Sequence, residues 1–403
     1  MNQFAGLRAL PTPLLILAGM TFVSSLGVSM MIPLLPLYGL ALGASPIQLG
    51  LMTSSFAVAN AVSQFGTGFL NDRFGPRRFI AAGMAIYGAA NALIAAAPNA
   101  VTLIGFRALA GFGAGANLVS ARLYVSHVSE RHRLAFSNSI ISAASSAGNV
   151  AGPAIGGLLA AALTLRAPFV AVAATSAVAF FAALFLPRLV IAEAEEAGAE
   201  TRSAPLFDRS LLILFISNFL ISTGFGGWIT SYAPFATERL GWTTFEVGIL
   251  FTIFAIGDIT LGPWIGRLAD RTGRKRVAVA SGFPVALFGI ALVLGFPRLL
   301  LYATAYLAGT GLTAFFSSWF ALITIAVPAQ RRGRVFGVVS ALGNIGTVVG
   351  ALGAAAIWQA ADLGIALVLA SFAALGASLV LILLPADRTP AVAAPATLAA
   401  AGS

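Results

Sequence analysis

Twelve long apolar stretches leave this chain few folds to choose from. They lie near residues 12–40, 48–70, 79–97, 100–124, 136–160 and 168–186, and again near 210–236, 246–266, 277–295, 299–326, 335–358 and 364–385. Each reaches the roughly 20 residues that a helix needs to cross a hydrocarbon core about 30 Å thick. We number them spans 1 to 12. Composition agrees: 59% of the 403 residues are hydrophobic and only 9% charged, where a soluble surface takes about 25%. The expected fold is an all-α membrane protein with twelve transmembrane helices. The run that follows Arg8 is longer than a signal-peptide core and has no convincing cleavage site, so it reads as a retained span 1. Pro33, Pro36 and Pro234 predict kinks in spans 1 and 7.

The 23 Lys and Arg against 13 Asp and Glu leave a net charge of +10. The excess does not describe a nucleic-acid surface, because the cations sit in short loops and form no basic face with interleaved aromatics. They sort by side instead. Arg107 falls inside span 4, and Arg166, Arg239 and Arg298 fall on one side, which leaves 19 of the 23 on the other. The positive-inside bias then places both termini in the cytoplasm, of a cell whose inner (plasma) membrane holds the chain, and requires an even number of crossings. The domain organisation follows: a six-helix half over 1–186, a polar linker over 187–209 containing E-A-E-E-A-G-A-E-T-R, a second half over 210–385 and an Ala/Pro-rich tail over 386–403 that reads as disordered. The linker also reads as a plain tether. Cysteine is absent, and the two histidines, His127 and His132, lie in one loop beside Arg131 and Arg133. With no nucleophile elbow, metal-ligand helix or phosphate-binding loop, enzyme chemistry, a metal and a cofactor are not expected.

The halves repeat. Gly68 to Arg78 reads G-F-L-N-D-R-F-G-P-R-R, and 198 residues on Gly266 to Arg276 reads G-R-L-A-D-R-T-G-R-K-R. Leu14 to Leu17 recur as Leu211 to Leu214, Pro36 as Pro234, and Gly148-Asn149-Val150 as Gly343-Asn344-Ile345. These loops resemble the G-x-L-a-D-r-x-G-r-[kr] signature of the major facilitator superfamily of secondary transporters. The resemblance covers the whole chain and implies two pseudo-symmetric six-helix halves around a central cavity, with binding near the midplane. It marks Gly68, Asp72, Arg73 and Gly75, and Gly266, Asp270, Arg271 and Gly273, as a cytoplasmic gate. Asp72 would meet the positive end of span 11, and Asp270 that of span 5, only when the halves close on that side. The plainer reading is that both loops only carry topological charge.

Span 5 contains Gly148, Gly152, Pro153, Gly156 and Gly157 in the order g-x-x-x-G-P-x-x-G-G. In the resembled family this order accompanies exporters that exchange substrate for protons; on its own it also serves close helix packing with a bend. Arg107 opens an R-x-x-x-G segment of span 4. The resemblance gives it a part in proton coupling, and the alternative is that it snorkels to the outer interface. Asn117 on span 4, Asn218, Trp228 and Tyr232 on span 7, and Phe315, Phe316 and Trp319 on span 10 fall on spans that line the cavity in that family. As a set they imply an amphipathic cavity; each alone also fits packing.

One acid stands apart from the other twelve. Asp258 is the only one inside a span away from its ends, twelve residues before Asp270 and so about 18 Å along the helix at 1.5 Å per residue. A charge there is costly, which suits a group that takes up and releases a proton as access alternates. Its counterpart 198 residues earlier is Asn60. Asp258 could instead be a structural partner of Arg107 or of a cavity hydroxyl. The reading reached is a monomeric secondary transporter driven by the proton gradient, working by alternating access and exporting small amphipathic compounds such as drugs. A sugar or other metabolite transporter on the same fold, and a non-transporting membrane receptor or structural protein, remain the alternatives.

Overall fold

The computed structural model describes residues 12–128, 134–187, 208–327 and 331–385, so the linker and tail expected from composition lie almost wholly outside the described residues. Twelve helical spans stand where the apolar runs lie. Span 1 is Thr12–Met31 and, after a turn, Leu35–Ala41; spans 2 to 7 are Pro46–Phe74, Pro76–Ala95, Ala100–Val128, Leu134–Ala162, Ala167–Leu184 and Arg209–Glu238. Span 8 is Thr244–Thr260 and Gly262–Thr272, span 9 is Arg274–Ala280 and Gly282–Val293, and spans 10 to 12 are Arg298–Ala326, Arg332–Ala360 and Leu363–Val380. Pro263 lacks the donor that would continue the first segment of span 8, and Pro284 does the same for span 9. Large apolar side chains stay exposed along the spans, Leu299 at 78% and Phe65 at 72% among them, as a surface solvated by lipid requires.

The duplication reaches the helix ends. Ser45 caps span 2 through a reciprocal box with Gln48, and 198 residues later Thr243 caps span 8 through the same box with Glu246. The second glycine of each loop signature ends its span at positive φ: 76° at Gly75 and 101° at Gly273. A side chain is strained there, which accounts for glycine at both places. The cation two positions later then caps another helix of its own half. Arg77 donates to the Leu184 carbonyl at the end of span 6, and Lys275 donates to the Leu384 carbonyl beyond span 12.

Packing corrects one pairing. A methyl on Gly148 would sit 2.6 Å from the Phe22 carbonyl oxygen of span 1, and one on Gly346 would sit 2.6 Å from the Phe219 carbonyl oxygen of span 7. Gly346, and not Gly343, is therefore the counterpart of Gly148. The three-residue difference turns a helix by less than a full turn and puts Gly343 on a neighbouring face.

Among the described residues, the halves meet at one end. Away from the arginine-rich loops, a methyl on Gly50 of span 2 would lie 2.8 Å from the Ala351 carbonyl oxygen of span 11, and one on Gly157 of span 5 would lie 2.6 Å from that of Thr244 on span 8. There Leu34 and Leu37 of span 1 share one apolar cluster with Tyr232, Ala233 and Phe235 of span 7. Toward the arginine-rich end the cores separate: Leu17, Ile80 and Tyr124 belong to one cluster, Leu214, Phe315 and Trp319 to another. At Gly66, Gly68, Gly266 and Gly337 a methyl would meet nothing within 4 Å. Among the described residues, the halves stand apart at the arginine-rich end.

Candidate functional site

A cavity of about 720 Å³ enters the first half from that open end. Its wall comes from spans 1 to 5, beginning at Leu17 and Arg122 and reaching Phe56 and Tyr87 at depth. Ser24, Ser25, Asn60, Asn117, Ser145 and Asn149 supply hydroxyls and amides between apolar surfaces such as Met20, Met84 and Leu118, and among the described residues no carboxylate lines it. Ser25 and Ser145 tie spans 1 and 5 together at 2.8 Å. This lining suits a compound with one polar and one apolar part.

Of the residues expected to line a cavity, Asn117 does. Four others are core of the second half. Asn218 donates to the Val339 carbonyl at 2.9 Å, Tyr232 to that of Val247 at 2.9 Å, and Trp319 to that of Leu214 at 3.1 Å, while Phe315 is 2% exposed. Their polar atoms are used on backbone carbonyls of neighbouring spans, which a buried indole or phenol requires. Trp228 is half-buried and stacks on Tyr232 at 4.6 Å, with Phe251 and Phe254 around it; Phe316 packs edge-on against Phe315. Phe56, Asn149 and the serines were missed. The signal for the serines and Asn149 is polar residues recurring three or four apart within apolar runs, as Thr21, Ser24 and Ser25 do on span 1.

Arg107 does not snorkel. It is 6% exposed, its guanidinium lies 4.3 Å over the Phe56 ring, Nη1 is 3.8 Å from the Met31 sulfur, and Nε has no partner. Phe56 and Tyr87 stand between it and the cavity. Asp258 is not its partner. The Thr313 hydroxyl of span 10 donates to the Asp258 carboxylate, and the Asp258 side chain is otherwise exposed three residues before the break in span 8. Spacing places it on the face of Phe251 and Phe254, whose rings surround Trp228.

The span 5 motif divides its work. Gly148, Gly152 and Gly156 let span 5 lie against the span 1 backbone between Phe22 and Met30, whereas Pro153 and Gly157 face span 8 of the other half. Contact between halves thus runs through Gly157 and not through Gly152 or Gly156. At Pro153 the other half also inserts a hydroxyl into span 5: Thr252 Oγ1 accepts from the Ala154 N–H at 3.1 Å and donates to the Val150 carbonyl at 3.0 Å. In the gate loops Arg73 lies over Phe74 at 5.3 Å, Arg271 is exposed, and the side chains of Asp72 and Asp270 are outside the described ones.

Residues 17–233 and 214–400 each match the profile of the Major Facilitator Superfamily. The chain belongs to the Major Facilitator Superfamily. Among its relatives in the superfamily are an uncharacterized MFS-type transporter of Methanocaldococcus jannaschii, 25% identical over 82% of this chain and 87% of that protein, and Multidrug resistance protein 2 of Bacillus subtilis, 24% identical over 66% and 69%. Among solved structures it is similar to a variant of the nucleoside transporter NupG, with a TM-score of 0.80 over 92% of this chain and 99% of that one at 16% identity, a likeness of fold. As a superfamily member the chain is a multi-pass membrane transporter of small molecules, not an enzyme.

Proposed function

We propose that this transporter exports small amphipathic compounds in exchange for protons, by alternating access across the plasma membrane with both termini in the cytoplasm. The observations that carry the reading are a mixed polar and apolar cavity that opens, among the described residues, at the arginine-rich end, and an acid inside span 8, Asp258. In this reading Asp258 carries the proton, and the proton gradient is the driving force, with no cofactor. Arg107 supplies a fixed positive charge to the same circuit, and Asp72 and Asp270 close the cytoplasmic end against the spans of the opposite half. The chain acts as a monomer. Similarity to Multidrug resistance protein 2 supports drug-like substrates. A second reading, transport of a metabolite rich in hydroxyls, draws on the serine and asparagine lining.

The test is uphill transport in sealed vesicles under an imposed pH gradient. Asp258→Asn is expected to abolish accumulation of a transported compound while retaining exchange down its own gradient. Accumulation by that variant equal to the wild type would overturn Asp258 as the proton carrier.

A further inference from the structure

Among the described residues, Arg107 is a buried cation without a counter-charge. Among the described residues the ion pairs are Arg239–Asp362 and Arg298–Glu246, both at the closed end, and the one acid inside a span is engaged by Thr313. A guanidinium held by a ring face and a thioether, with Nε unsatisfied, is poorly compensated for removal from water. It stands immediately behind the deep wall of the cavity, whose lining holds a second arginine, Arg122, at the mouth and no carboxylate. A cation entering this space meets two like charges. An anion meets the group it would complete.

We propose that the transported compound is an amphipathic anion whose carboxylate pairs with Arg107. This inference rests on the reading of the cavity as the site for amphipathic compounds. The planar guanidinium offers paired donors matched to a carboxylate. Phe56 is half-buried and covers the guanidinium, so its ring turns aside as the carboxylate arrives. The apolar body then lies against Met84 and Leu118, while Asn60 and Asn117 receive its remaining polar atoms. Arg107 is thereby a specificity-determining residue that selects by charge.

The experiment is equilibrium binding to the full chain in lipid nanodiscs without any gradient, using naphthalene-2-carboxylate, naphthalene-2-carboxamide and 2-naphthyltrimethylammonium. The wild type is expected to bind the carboxylate at least about tenfold tighter than the amide, or about 1.4 kcal/mol, and the cation more weakly still. Arg107→Gln is expected to bring carboxylate and amide within about twofold of each other, and Arg107→Lys to keep part of the preference. Equal binding of the three by the wild type, no binding of the carboxylate, or an undiminished preference in Arg107→Gln would overturn the proposal. The wild-type order decides even if Arg107→Gln fails to fold, because it needs no variant. Absence of pH-driven transport by the wild type with the preference intact would overturn proton coupling and leave this inference standing, and pH-driven transport without the preference would do the reverse.

Discussion

Gly273 and Gly157 show how single residues act here through backbone. With φ at 101°, Gly273 occupies a conformation that costs a side chain about 1–3 kcal/mol. Gly273→Ala is expected to lower the thermal unfolding temperature in detergent, and an unchanged temperature would contradict that account. A first methyl on Gly157 would lie 2.6 Å from the Thr244 carbonyl oxygen of the other half, while one on Gly152 would lie 2.7 Å from the Leu26 carbonyl oxygen of its own half. The two leucine variants should therefore part ways. Overpacking costs about 1–3 kcal/mol in each, but Gly152→Leu is expected to reduce the yield of folded protein and Gly157→Leu to fold while disfavouring closure at the end away from the arginine-rich loops. Accessibility of a cysteine placed near that end reads the difference, and identical behaviour of the two would refute the division.

Span 5 is the element on which the two halves are keyed. Pro153 interrupts its ladder, and the Thr252 hydroxyl of span 8 fills the gap between the Ala154 N–H and the Val150 carbonyl. Thr252→Val keeps the shape and removes both bonds, each worth about 0.5–1.5 kcal/mol net. The expected outcome is a shift of the conformational balance by roughly 5- to 150-fold toward opening at that end, measured by the same cysteine accessibility. No shift would reduce the inserted hydroxyl to a passive contact. The spans were legible in the sequence because hydropathy summed over about 20 residues is insensitive to the facing of any one of them, and the repeat was legible because Gly68 and Gly266 keep their spacing from the aspartate. The site was less so. Asn218, Tyr232 and Trp319 lie on spans 7 and 10, which the resemblance assigns to a cavity, and only packing reveals that their polar atoms bond to Val339, Val247 and Leu214. Thr252 carries no motif, and its role exists only once the halves are assembled.

For the whole molecule, the distribution of 23 cations argues that the arginine-rich end is cytoplasmic. The chain has no cysteine, so a single introduced one reports without background. Arg202→Cys is expected to resist membrane-impermeant maleimide in intact cells and to react after permeabilisation; reaction in intact cells would reverse the orientation. The structure holds one of the states that alternating access requires, joined at Gly50 with Ala351 and apart at Gly68 and Gly337. Spin-label distances across spans 2 and 11 measure the other directly, with one pair at Gly68 and Gly337 and a second pair at Ile47 and Gln359. The account predicts two populations in which the first distance shortens as the second lengthens, with a balance that moves with pH in the wild type and not in Asp258→Asn. A single unchanging distance for both pairs at every pH, or an equal pH response in Asp258→Asn, would contradict it.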